Sequence, residues 1–191
     1  NPSHSYSVTG TYTVSLKVTD ARGNSTTERR AGYVSVSNAI APHTIPPDGG
    51  IIQTADGRIV VTFPEGAVTG EPTLNIDGLS PSAVAKAPGG YKLGGTCFAT
   101  KVVDAGGSTV SMPSRAVTVT VKYSDEDLAA PGGNPERLVL AQYNDATGKW
   151  TILDTTLSKA DRSLTANTTR FGTWAVMAKK PSGGMASWIW I

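Results

Sequence analysis

The sequence predicts an all-β protein, and three observations carry that reading. Short runs of Val, Thr, Ile and Tyr alternate apolar with polar positions, the period-two pattern of a strand with one buried face. Turn chemistry separates the runs: 21 Gly and 12 Pro lie among the 191 residues, several as Asp-Gly, Gly-Gly or Pro-Gly-Gly. Only one stretch, 124–130 (SDEDLAA), has helical character, with Ser124 as its N-cap and Asp127 three residues on in a weaker form of the capping box. The expected architecture is sheet on sheet, with at most one short helix.

The strongest strand signal lies between Asp48 and Pro72. Asp56-Gly57 joins two extended runs and marks a hairpin, because glycine takes positive φ without steric cost. Beyond it, Ile59, Val61 and Phe63 face one side and Val60 and Thr62 the other. Pro64 has no N–H for a ladder, so the strand ends there. The same reasoning places further strands within a domain spanning 48–179. The full set is 58–63, 73–79, 93–103, 116–123, 137–143, 149–154 and 172–178.

The first 37 residues read as a separate unit. Tyr12, Val14, Leu16 and Val18 alternate with Thr13, Ser15, Lys17 and Thr19; a turn follows at 20–24 and a second strand runs from about 25 to 36. Between the units, 38–47 (NAIAPHTIPP) reads as a linker held extended by Pro42, Pro46 and Pro47.

Two resemblances attach to these units. His4-Ser5-Tyr6, Gly10-Thr11-Tyr12-Thr13-Val14, Leu16, Val18-Thr19-Asp20 and Gly23-Asn24 closely resemble the last half of a PKD domain, the immunoglobulin-like sandwich named after polycystic kidney disease. Residues 1–37 cover only part of such a module, since sandwich domains run to roughly 100 residues. The resemblance implies that partner strands come from upstream sequence or from a neighbour. The second unit resembles the ZU-five family of sandwiches, through Gly49-Gly50, Asp56-Gly57, Val60, Thr62-Phe63-Pro64-Glu65-Gly66-Ala67-Val68 and Phe171-Gly172-Thr173-Trp174-Ala175-Val176. Some relatives in that family cleave themselves at a His-Phe-Ser motif near the last strand. The matching positions here are Arg170, Phe171 and Gly172, which supply neither a neutral base nor a nucleophile, so self-cleavage is not expected.

The tail, 180–191, reads as a hinge followed by the start of a membrane anchor. After Ser182-Gly183-Gly184 the chain turns apolar, and Trp188 and Trp190 are the expected interfacial residues. The apolar run is shorter than the roughly 20 residues a spanning helix needs, so the anchor is expected to be truncated. A chain beginning at Asn1 reads as a mature product or a fragment.

Chemistry-bearing residues are sparse. A formal net charge of +2 argues against nucleic-acid binding, which needs a clustered basic face. Cys97, the single cysteine, sits in an apolar strand and reads as a packed thiol. His4 and His43 lack a ligand at metal spacing. Asp20 and Asn24 are too few for calcium and suit an Asx turn; the 124–127 acidic cluster suits a helix N-terminus. Asp104, Asp145 and Asp154 lie beside turns, where solvation is the default, and no nucleophile elbow or phosphate loop is present. No catalytic residue, cofactor or metal site is assigned. The candidate ligand contacts are aromatic: Tyr91 and Trp150 as a sugar-stacking platform, with Trp174 packing inside.

These features point to a non-enzymatic protein at the extracellular face of the cell membrane. It would act as a stalk, scaffold or interaction module, with protein or surface-glycan partners and a C-terminal membrane segment. Two alternatives stand beside this reading: a carbohydrate- or calcium-binding accessory module of a secreted hydrolase, and a structural subunit of a membrane complex or surface filament.

Overall fold

Alternating residues become a hairpin at the start of the described chain. In the computed structural model, which describes residues 10–36 and 42–181, β1 (Gly10–Thr19) pairs antiparallel with β2 (Ser25–Val36). Asp20 closes the turn by accepting from the backbone N–H groups of Arg22 and Asn24, at 2.8 and 2.9 Å, and Gly23 takes φ +86°. Among the described residues no third strand joins this sheet. Leu16 and Val18 remain 54% and 55% exposed.

The rest of the described chain forms an antiparallel sandwich. One sheet is built from β3 (His43–Thr44), β6 (Thr73–Leu79), β7 (Tyr91–Val103), β14 (Gly172–Lys179), β10 (Leu138–Asn144) and β11 (Lys149–Ile152), in that spatial order. Short β8 (Thr109–Val110) pairs β7 at Val102 and Val103, beyond the point where β14 begins opposite Thr100. The second sheet runs β4 (Gly50–Gln53), β5 (Ile59–Phe63), β9 (Val117–Lys122), β13 (Ser163–Thr168), β12 (Thr156–Ser158).

Period two decides what lies between the sheets. In β5 and β9 every second residue is buried, so Ile59, Val61 and Phe63 meet Val117, Val119 and Val121 in the core, with Leu164 and Ala166 from β13. Leu74, Ile76, Phe98, Leu140, Trp174 and Val176 close it from the facing sheet. The hairpin at Asp56-Gly57 is present, with Gly57 at φ +64° and β4 pairing β5 from Gly50↔Phe63 to Gln53↔Val60.

The larger sheet also has a covered outer face. Cys97, Ala141, Ala175 and Met177 are buried there beneath Val84 and Ala87 of the β6–β7 connection, with Leu93, Val139, Trp150 and Ile152 around them. That connection reaches β11, where the Trp150 indole N–H donates to the Ala85 carbonyl at 3.2 Å. β14 is therefore buried on both faces, which explains its near-continuous apolar sequence.

Two expectations need adjusting. Residues 43–47, read as the end of a linker, belong to the sandwich. His43 and Thr44 pair with Leu74 and Thr73, and Ile45 is wholly buried, with its N–H on the Pro72 carbonyl at 2.8 Å. Strands β3, β8, β12 and β13 join those expected from the pattern. The helix α1 (Asp125–Ala129) forms where expected, and its capping box is complete.

Candidate functional site

Helix α1 docks on β7 through one carboxylate. Asp127 is fully buried and accepts from the Ser124 N–H and hydroxyl, both at 2.8 Å, and from the Thr96 N–H and hydroxyl at 2.8 and 2.7 Å. Arg58 donates to the same Thr96 hydroxyl at 3.0 Å and so carries the network across to β5. The helix comes this close because Gly94 and Gly95 have no side chains. A Cβ on Gly94 would lie 2.5 Å from Asp127 Oδ1, and one on Gly95 2.5 Å from Glu126 Cδ. Asp125, outside this network, pairs with Arg162 on the surface. The acidic cluster at 124–127 is thus a helix cap and a docking latch.

Clefts open at both ends of the sandwich. At one end a cleft of about 340 Å³ lies among Gln142, Thr151, Asn167, Thr168, Thr169 and Arg170, and a neighbouring one of about 320 Å³ adds Met112, Asp145 and Phe171. Gln142 forms the floor: its amide nitrogen donates to the Arg170 carbonyl at 2.9 Å and its oxygen accepts from the Thr168 hydroxyl at 2.9 Å. Asn167 Oδ1 accepts from the Thr118 hydroxyl and Asn144 Oδ1 from the Ala146 N–H, and neither amide nitrogen has a hydrogen-bond partner among the described residues. The opposite end carries a groove of about 450 Å³ lined by Gly90, Tyr91, Arg137, Lys179, Lys180 and Pro181.

Tyr91 and Trp150, expected as one platform, both border the covered outer face but at different levels of it. Trp150 pairs with Tyr143, beside the Gln142↔Trp174 level of β14, whereas Tyr91 pairs with Lys179. Five residues of β14 separate those levels, about 17 Å at the rise of a strand. Trp150 stands edge-on to Tyr143, ring centroids 5.2 Å apart, and helps cover the outer face. Trp174 is inside as expected, stacked on Phe98 at 5.8 Å with its N–H on Thr100 Oγ1 at 3.1 Å. Trp188, Trp190 and His4 lie outside the described residues.

The remaining candidates have local roles. Cys97 is buried, and desolvation, reinforced by Asp127 and Glu126, pushes its thiol from an ordinary 9.0 up to about 12. The Asn24 side chain, ahead of the backbone bonds, holds the Asp20 carboxyl below the usual carboxylate range, as an Asx turn does. Asp104 accepts from the N–H groups of Gly106 and Ser108. Asp145 borders the second cleft and Asp154 is exposed. His43 sits in β3 at the sheet edge. Phe171 packs on Phe63, centroids 6.1 Å apart, and Gly172 begins β14 at φ +142°. Among the described residues no three His, Cys, Asp or Glu side chains converge as a metal-holding group, and no helix is long and apolar enough to cross a membrane.

No protein-family model matches the chain, and no curated protein matches it in sequence.

Proposed function

We propose that this chain is a non-enzymatic part of an extracellular cell-surface protein. It serves as a stalk or docking module tethered through its C-terminal segment, its two units PKD-like and ZU-five-like. The observation that carries this reading is the path of the chain. It joins the larger sheet at β3, level with Leu74 and Val102, and leaves it at Lys179, level with Tyr91. Those levels, eleven residues apart, lie near opposite ends of the 13-residue strand β7, about 37 Å apart along it. A module whose ends emerge at opposite poles adds its length to whatever it connects.

The shared direction of β4 and β14 suits the same task. β4 begins at Gly50 opposite Phe63, at the Val117–Thr168 end of its sheet, and the Thr168–Gln142 hydrogen bond ties that end to the start of β14. β4 and β14 therefore run the same way, one starting at the arrival end and the other finishing at the exit end. Ladder hydrogen bonds lie across the strands. A pull along the axis loads them together instead of one after another.

Single-molecule pulling tests this. With handles before His43 and after Lys180, the sandwich is expected to yield at clearly higher force than with handles at His43 and Ala146, which lie at one end and peel the β10–β11 hairpin. Equal or lower force in the end-to-end geometry would refute the load-bearing reading.

The alternative of a saccharide-binding accessory module is favoured by the uncommitted amides of Asn144 and Asn167 in the cleft. Glycan-array binding that is lost in Asn144→Ala/Asn167→Ala, with the melting temperature unchanged, would support it. Binding lost only in Trp150→Ala would move the site to the outer face.

A further inference from the structure

The groove at the exit end has a one-sided charge. Arg137, Lys179 and Lys180 line it beside Tyr91, and no carboxylate does. Backbone geometry forms it: Tyr91 sits opposite Lys179 in the ladder, and the Lys180 N–H bonds the Gly90 carbonyl at 2.8 Å. Glu136, the carboxylate adjoining Arg137, is taken by Lys159 at 2.6 Å. The side chains of Arg137, Lys179 and Lys180 have no hydrogen bond or ion pair among the described residues. Three cations thus line one concavity with no carboxylate paired to them among the described residues.

We infer that this groove seats the phosphates of anionic lipid headgroups, so that the exit end of the sandwich rests on a bilayer surface. The inference builds on the proposed C-terminal tether. Pro181 lines the groove, and Trp188 is seven residues further along the sequence. Even fully extended, those seven residues reach no more than about 25 Å. A tail whose tryptophans lie at the lipid boundary keeps the groove near headgroups and raises their effective concentration. Tyr91 supplies an amphipathic ring of the kind that lies at headgroup level. Each cation near an anionic surface contributes about a fivefold factor in partitioning, so three give roughly a hundredfold.

The test is sedimentation of the full chain with phosphatidylcholine vesicles, with and without phosphatidylglycerol. The native chain is expected to partition about a hundredfold more strongly onto the anionic vesicles than Arg137→Gln/Lys179→Gln/Lys180→Gln. The difference should shrink as salt shortens the Debye length below about 8 Å. Both proteins should bind neutral vesicles equally, through the tail. Native and triple-variant chains that partition alike onto anionic vesicles, at equal melting temperature, overturn the groove assignment. Inorganic phosphate at millimolar concentration, without vesicles, shifting the amide resonances of Tyr91 and Lys179 to saturation would also overturn it, in favour of a free-phosphate site. Failure of the tether reads differently: neither chain binds neutral vesicles, and Trp188→Ala/Trp190→Ala changes nothing, while the salt-sensitive difference on anionic vesicles persists and upholds the groove.

Discussion

Thr96 gives Asp127 both of its hydrogens: its N–H lies 2.8 Å from Oδ1 and its hydroxyl 2.7 Å from Oδ2. Oδ2 also accepts the Ser124 N–H and hydroxyl. Asp127→Asn keeps the shape but turns an amide group toward donors, or leaves them unpaired, in a buried site. Loss of such a network costs about 3 kcal/mol. For a chain of this size that lowers the melting temperature by roughly 6–12 °C. Calorimetry decides it, and a shift under about 2 °C would mean that the latch is not energetically coupled to the sandwich.

The glycines that admit this carboxylate differ from each other in a measurable way. A Cβ at Gly94 meets Asp127 Oδ1 at 2.5 Å and the Val176 carbonyl oxygen at 3.1 Å, neither of which has room to retreat. The three atoms nearest a Cβ at Gly95 all belong to the side chain of Glu126, which is exposed and can swing away. Gly94→Ala is expected to cost about 2–3 kcal/mol, as overpacking does, and Gly95→Ala under about 1 kcal/mol. Gly89→Ala, with nothing within 4 Å, is the neutral reference. Urea midpoints at constant slope give the order.

Much of this fold is legible in the sequence, for a physical reason that also marks its limit. Ile59, Val61 and Phe63 declare their face because burial alternates with the pleat, and Ser124 with Asp127 declares a helix start because caps are local. β13 stays hidden because its buried positions hold Ser163, Leu164, Ala166 and Thr168, too polar a set to reveal a period. Ile45 sits among prolines like a linker residue, and only its bond to the distant Pro72 carbonyl makes it core. The separation of Tyr91 from Trp150 follows from sheet order and register, which no local pattern encodes. Gly94-Gly95 reads as part of a strand, and its role appears only once the helix lies across it.

Thr100 and Trp174 are expected to be energetically coupled. The Thr100 hydroxyl oxygen accepts from the Trp174 indole at 3.1 Å and from the Gly172 N–H at 3.2 Å. Thr100→Val strands both donors inside the core at a cost of about 2–3 kcal/mol. Trp174→Phe removes one donor and leaves a partial cavity. In the double variant the indole donor is gone and only the Gly172 N–H and carbonyl lose their Thr100 partner, so its loss falls short of the sum by about 1 kcal/mol. A double-mutant cycle in guanidinium measures that coupling, and strict additivity would show that the indole N–H is not held by Thr100.

The buried thiol makes stability depend on alkaline pH. Burial, with Asp127 and Glu126 nearby, raises Cys97 from 9.0 to about 12, so the folded protein keeps a proton that the unfolded chain gives up. Between those values the unfolded state binds fewer protons than the native one, and stability falls as pH rises. Below about pH 9 both states carry the proton and the contribution is complete. Within the window the loss approaches about 1.4 kcal/mol per pH unit. Lys and Tyr groups titrate in the same range, so the measurement is the difference between native protein and Cys97→Ala, followed by denaturant midpoint from pH 8 to 11. Native protein should lose ground to the variant as pH climbs, and iodoacetamide should leave the folded thiol unmodified at pH 8 while labelling it in urea. Parallel pH profiles, or rapid labelling of the folded chain, would place the thiol in contact with solvent.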